Sequence, residues 1–554
     1  MKKIPLLVLF LASAFSFAQE EIPFDDNASS YSIGFESNSQ YYTDDNKTGN
    51  FTEEYRFRSN NYLKLDYSFN KFYFGVQGES YAPKALLNYS PSLEKTNVAL
   101  FFAGYKTDKL ELTVGHFYEQ FGSGLALRFW EDRQLGINNA LRGGRMKYSP
   151  VEYVHLTALY GKQRTGFNVS NGDVFGFNSD IDLTTALSLD TSSLVLGFSY
   201  VGRMEAIKIE NPDFNKLTNI FSGRLDFSKN NFYASTEYVS KQKDAIVIFE
   251  QVLNAKTGSA ALVNLGYAKK GFGIDATFRR MENMDFYSER EASGNIFNER
   301  IVNYLPALTK QHDYLLTNMY VYQAQPQVSF QDPSLMKSGE IGGQIDLFYK
   351  IKKGTLLGGE YGTKLALNVS HWSGLKGDYD FYNFDYSTEF LGFGEKYFSE
   401  ISFEIRKKWS KKWKSIFYMV NQSYNKRYVE ESYGNVEANI VVGEVTYKIG
   451  NGKSLRFELQ HLFTEDDKKN WLGETIEFNA SSKLAFYVND IYNYGNTDSE
   501  KRIHYYNIGG SYSIGAHRFA LNYGRQRGGL LCVGGVCRFV PASTGFSANI
   551  IMSF

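Results

Sequence analysis

Glu400-Ile401-Ser402-Phe403-Glu404-Ile405-Arg406 alternates apolar side chains with charged or polar ones. Successive side chains of a strand point to opposite sides. Ile401, Phe403 and Ile405 therefore share one face, and Glu400, Ser402, Glu404 and Arg406 share the other. The same reading holds for Phe72, Phe74 and Val76 against Tyr73, Gly75, Gln77 and Glu79. It holds again for Ile274, Ala276 and Phe278 against Asp275, Thr277 and Arg279, and for Leu455, Phe457 and Leu459 against Arg456, Glu458 and Gln460. From Tyr31 onwards such two-faced stretches recur, each followed by a turn.

The connections alternate in length. Short turns stand at Phe69-Asn70-Lys71, Thr107-Asp108-Lys109, Lys269-Lys270-Gly271, Ser410-Lys411-Lys412 and Gly515-Ala516. Between them lie longer polar segments, among them 43–56, 82–95, 122–140, 204–217, 242–257, 284–337, 371–395, 425–435 and 527–542. One rim of tight turns and one rim of loops is the layout of an antiparallel barrel. Counted this way the strands number about 24 (range about 20–26), and each is long enough for the ~9–11 residues that a tilted membrane-spanning strand needs. The fold class expected is all-β: a single large transmembrane antiparallel β-barrel with short periplasmic turns and long extracellular loops.

Size decides between lipid and a soluble core. A sheet of so many hairpin-linked strands has an apolar face too large for any second layer of this chain to cover. Lipid covers it, and closure pairs every backbone group without leaving an edge. The 41 Tyr and 45 Phe fit the aromatic girdles of such barrels. A mean hydropathy of −0.36 excludes a helical membrane bundle. A formal net charge of zero with no basic run argues against nucleic acid as a partner.

Lys2 and Lys3, the apolar stretch from Ile4 to Phe15 and the small residues of Ser16-Phe17-Ala18 form a secretory signal peptide, 1–18. Residues 19–29 are expected to be a short periplasmic segment, too short for a plug domain. Residues 30–554 are expected to form the barrel, with long loops near 122–140, 284–337 and 371–395. The last residues alternate Phe546, Ala548, Ile550, Met552 and Phe554 with Ser547, Asn549, Ile551 and Ser553. This resembles the terminal signal of outer-membrane barrels. The location expected is the outer membrane of a Gram-negative cell. Its lipid is the expected surrounding, and other outer-membrane or periplasmic proteins are candidate partners.

Catalytic chemistry is not visible. The seven His stand in no H-E-x-x-H, and there is no Gly-x-Ser-x-Gly elbow. No enzymatic activity, cofactor or metal is expected. Cys532 and Cys537, in Cys-Val-Gly-Gly-Val-Cys, are spaced for a small disulfide ring in the last long loop, outside the cell.

A barrel this wide must be closed by something. Segment 284–337 carries Tyr304, Leu305, Tyr314, Leu315, Leu316, Met319, Tyr320 and Tyr322. A long loop that apolar is expected to fold inward or dock a partner. A second candidate is the stretch around 120–145, where Arg128, Trp130, Glu131, Asp132, Arg133, Arg142 and Arg145 read as a constriction or a plug. Balanced pairs on the polar face (Glu404 with Arg406, Glu458 with Arg456, Asp275 with Arg279) predict weak ion selectivity. Two functions follow as expectations. One is a pore or transport protein passing small polar solutes through a loop-constricted lumen. The other is a non-conducting scaffold subunit of a surface assembly or secretion complex.

The stretch Gly115-His116-Phe117-Tyr118-Glu119-Gln120-Phe121-Gly122-Ser123-Gly124 is followed by Arg128-Phe129-Trp130-Glu131-Asp132, Arg142-Gly143-Gly144-Arg145 and Tyr160-Gly161-Lys162-Gln163-Arg164. Together with Phe57-Arg58-Ser59-Asn60-Asn61-Tyr62-Leu63 it resembles an uncharacterised family of outer-membrane β-barrel proteins from Bacteroidota, most closely over 55–165. The resemblance implies a barrel at the cell surface and brings no substrate or catalytic residue with it.

Overall fold

The structure, a computed structural model, describes residues 29–90, 93–189, 191–205, 215–248, 251–290 and 300–554. The expected signal peptide and the segment up to residue 28 lie outside the described residues. Twenty-four strands form one antiparallel sheet. Each pairs with the next barrel strand along the chain, and the first, Ser29–Tyr42, pairs with the last, Ser543–Ser553, from Gly34↔Ser553 to Tyr42↔Gly545. The sheet is therefore a closed barrel with no free edge.

Both ends of the sheet lie at the rim of tight turns, which includes 70–71, 230–231, 270–271, 451–452 and 515–516. The opposite rim carries the loops 43–56, 81–95, 118–140, 283–338 and 527–542. Two segments read as loops are corrected by the structure. Segment 371–395 is a hairpin: strands Thr363–Asp380 and Asp385–Lys408 run on to a turn at 381–384. Segment 242–257 is likewise the end of two strands, Phe232–Ile248 and Gln251–Lys269. These hairpins continue past the rim, where no boundary of lipid against lumen imposes alternation. Pairing persists there through register shifts, between Trp372 and Gly377 in the first and between Lys241 and Asp244 in the second.

The two faces separate as the alternation requires. Leu63, Leu65, Tyr67 and Phe69 are exposed on the outside, while Tyr62, Asp66 and Ser68 of the same strand are buried inside. Outward apolar residues continue around the sheet, for example Phe74, Leu196, Phe221, Ile401, Phe457 and Leu521. Trp409, Trp413, Phe72, Phe232 and Phe554 mark the tight-turn rim with exposed rings. Such a band is covered by lipid in a membrane barrel.

Candidate functional site

The inner face departs from simple alternation near the loop rim, where it turns apolar. Val201 faces Ile220 across one strand pair; Val239, Ala260 and Met281 form a row across three strands. All are fully or almost fully buried, because loops lie against them. The 118–140 loop contributes Phe121, Leu125, Leu127 and Phe129 to this packing, and the long loop contributes Met284, Phe286, Val302 and Leu305. The two loops also pair through their backbones. Arg128 N–H donates to the Val302 carbonyl (2.8 Å), and Tyr304 N–H donates to the Gly124 carbonyl (2.9 Å).

The second half of the long loop packs on another arc of the wall. Tyr314, Leu316, Tyr320 and Tyr322 lie among Trp372, Phe398, Tyr418, Tyr424, Ile440, Leu462 and Trp471. The Tyr322 ring stacks on Trp372 and Phe398, with centroids 5.9 and 5.3 Å apart. Four wall side chains hold this half of the loop by hydrogen bonds. Glu340 accepts from Tyr322 O–H (2.6 Å) and Gln325 N–H (2.7 Å) while paired with Arg279 (2.7 Å). Gln460 accepts from Leu316 N–H at 2.8 Å. Glu400 meets His312 Nε2 at 3.0 Å, and Tyr418 O–H meets His312 Nδ1 at 2.6 Å. Glu340 and Glu400 are buried carboxylates; Glu340 has partners on both oxygens, whereas Glu400 takes His312 and Gln422 on Oε2 and leaves Oε1 buried without a hydrogen bond among the described residues. The described part of segment 284–337 is thus a plug inside the lumen.

The structure brings most of the 120–145 candidates to this plug. Arg128 lies over the Tyr304 ring (3.9 Å) and near Trp130 (5.3 Å). Trp130 is buried among Leu135, Ile137, Tyr304 and Val533. Arg133 joins Glu36 on the first strand (2.6 Å) to Glu131 (3.2 Å). Asp132 accepts from the N–H groups of Gln134 and Leu135, both at 2.8 Å, and burial raises its carboxyl above the usual range. Arg145 meets Glu111 (2.5 Å) and Glu119 (3.1 Å) at the wall. Arg142 stands apart. Three residues before Arg145 on a regular strand, it falls on the opposite, outer face and is exposed.

The last loop adds a third piece. Its hairpin, Gly529–Val533 with Val536–Val540, is closed by a disulfide between Cys532 and Cys537. The tip does not project away from the barrel but turns onto the plug. Gly534 accepts from Tyr304 O–H (2.6 Å), and Gly535 accepts from Ala307 N–H (2.8 Å). Gly535 has φ +78°, and a Cβ there would lie 2.4 Å from the Ala307 carbonyl, so only glycine fits the contact.

Two cavities remain. A vestibule of about 3100 Å³ is bordered at the tight-turn rim by Asn230, Lys270 and Phe272, runs along Arg128, Tyr304 and His312 of the inward loops, and touches Tyr42 and Val540 at the loop rim. A smaller cavity of about 630 Å³ lies between the plug and the wall around the closing seam. It is lined there by Gln40, Asn489, Asn507, Asn522, Gln526 and Ser547. Gln40, Lys310, Gln311, Asn489, Asn522 and Ser547 border both spaces, so the two are adjacent. The smaller one reaches Tyr42 and Arg527 at the loop rim. Sequence reading missed this cavity, and also that Glu340 and Glu400 hold the plug. The clue in the sequence was a run of inward Asn, Gln and Ser on the terminal strands where other strands carry apolar residues.

The whole chain, residues 1–554, matches one family. The protein belongs to a family of unknown function, DUF6029. No curated protein matches it. Among solved structures it is similar to the P pilus usher translocation pore (7% identity, TM-score 0.38, covering 95% of this chain and 99% of that one). It is similar also to the copper transporter OprC (10%, TM-score 0.39, 96% and 82%). A BenF-like porin from Pseudomonas fluorescens Pf-5 is a third (8%, TM-score 0.35, 85% and 98%). At that level the likeness is one of barrel architecture, which hosts many roles.

Proposed function

We infer that this protein is an outer-membrane barrel with a transport role, passing small polar solutes along a side passage past its own plug. The carrying observation is that the vestibule and the smaller cavity beside the plug adjoin along shared polar residues. The exposed apolar band supports placement in lipid, and the tight turns support a periplasmic position for the vestibule. The remaining 24-strand lumen is filled by side chains of the loops, so large solutes are excluded. Amide and hydroxyl side chains along the passage offer hydrogen bonds in exchange for those a solute loses with water.

The plug also supports a second reading, a non-conducting scaffold subunit of a surface assembly, because a barrel held shut by buried wall carboxylates needs no pore. Planar-bilayer recording of the purified, refolded full chain separates the two. Small discrete conductance steps, enlarged when 304–322 is deleted, are the expected result. Silence from protein that is folded by its heat-dependent gel mobility overturns transport and leaves the scaffold.

A further inference from the structure

We propose that the passage beside the plug selects small anions, its selectivity set by Lys310 and Arg527. This rests on the transport reading above and names the solute class. The vestibule does not discriminate: nine acidic and ten basic residues border it. The narrow part differs. Its lining includes Lys310, Arg525 and Arg527 but only one carboxylate, Glu400. Glu400 takes His312 and Gln422 on one oxygen, Gln422 Nε2 donating at 2.7 Å, so three cations face this one carboxylate. Arg525 is paired with Asp45 at 2.7 Å.

Lys310 and Arg527 form no ion pair among the described residues, and they stand on two sides of the passage. Lys310 sits on the plug, 4.9 Å over the Tyr418 ring. Arg527 sits just past the strand His517–Gln526, beside Tyr505 and Tyr320. The acids nearest Arg527 are engaged elsewhere. Asp467 binds Lys426 (2.8 Å) and Tyr320 O–H (3.1 Å), and Glu430 accepts from Tyr424 O–H (2.9 Å). Lys468 adds a further positive charge near Arg527. Cations facing a narrow, low-dielectric passage raise the local anion concentration, and the narrowest part governs selectivity. Asp346 lies within electrostatic reach of Lys310 but is bonded to Asn368 and Gln344, so an anion crossing there meets two cations without an ion pair among the described residues, plus the amides of Asn489, Asn507 and Asn522.

The test is the zero-current potential of the full chain in a planar bilayer under a potassium chloride gradient. Chloride is expected to be favoured over potassium by about threefold or more. R527E and K310E are each expected to lower that ratio, and the double variant to invert it, while R527K retains it. Gluconate, a larger organic anion, is expected to reduce chloride current from the vestibule side. A ratio at or below unity, or one unmoved by the double variant when currents persist, overturns the anion proposal and leaves transport standing. A silent bilayer with folded wild type overturns both.

Discussion

The inner walls of two arcs of this barrel differ in what they offer a loop. Between residues 192 and 282 the loop-rim ends of the strands point Val201, Ile220, Val239, Ala260 and Met281 inward, and loops cover them. Around the seam the same level carries Gln40, Asn489, Asn507, Asn522 and Ser547, and a cavity remains. Apolar surface inside a water-filled lumen gains by burial, so loops settle on it. Amides and hydroxyls gain little by burial unless each finds a partner, so water or a solute keeps that side. Which inward positions are apolar thus decides where loops fill this lumen and where a cavity stays open.

The largest expected effect comes from removing a wall group that pins the plug. Glu340→Ala strands the buried Arg279 guanidinium and takes the acceptor from Tyr322 O–H and Gln325 N–H. Breaking a buried pair from one side costs about 3–5 kcal/mol. The plug, not the lipid-facing sheet, depends on these contacts. Glu340→Ala should therefore raise conductance severalfold and expose 304–337 to protease, with the barrel still heat-modifiable on gels. Unchanged conductance with unchanged proteolysis would show that apolar packing alone holds the plug.

The seam side predicts a smaller, opposite change. Asn522 borders both cavities and points inward from an outward-apolar strand flanked by Phe519 and Leu521. Asn522→Trp fills the passage, so current should fall by more than half while thermal stability moves little. If current persists, solutes pass elsewhere and the contrast between the arcs has no functional meaning.

Much of the barrel was legible in the sequence because one physical rule repeats along it. Alternation at Glu400–Arg406 or Leu455–Gln460 announces a sheet with one apolar face and one polar face, and the length of the turns orders the rims. Tyr314, Tyr320 and Tyr322 likewise betrayed a loop that would not remain in water. The rest depends on neighbours far apart in the chain. Nothing local tells that Glu340 receives Tyr322, that Glu400 receives His312, or that Lys310 and Arg527 line one space. Arg142 went astray for a different reason. It belongs to a charged cluster by composition, but strand parity turns it to the outer face, opposite Arg145. The hairpin at 371–395 escaped because alternation lapses beyond the rim while pairing does not.

The smallest expected effect concerns the disulfide. The bridge closes a ring of few residues, so chain-entropy arguments give it about 2 kcal/mol at most. Its hairpin is held independently by Tyr304 O–H on Gly534 and by the Ala307–Gly535 backbone bond. The hairpin also borders the seam passage, through Cys532 and Gly535. Reduction, or the Cys532→Ser, Cys537→Ser double variant, should therefore leave the unfolding temperature nearly unchanged. The effect should instead be read as noise in the open-channel current, because a looser tip moves where the hairpin borders the passage. Gly535→Ala should add the same noise more strongly, since its Cβ would be driven into the Ala307 carbonyl. A Gly535→Ala channel as quiet as wild type would place the conducting route away from the hairpin, and with it away from the seam.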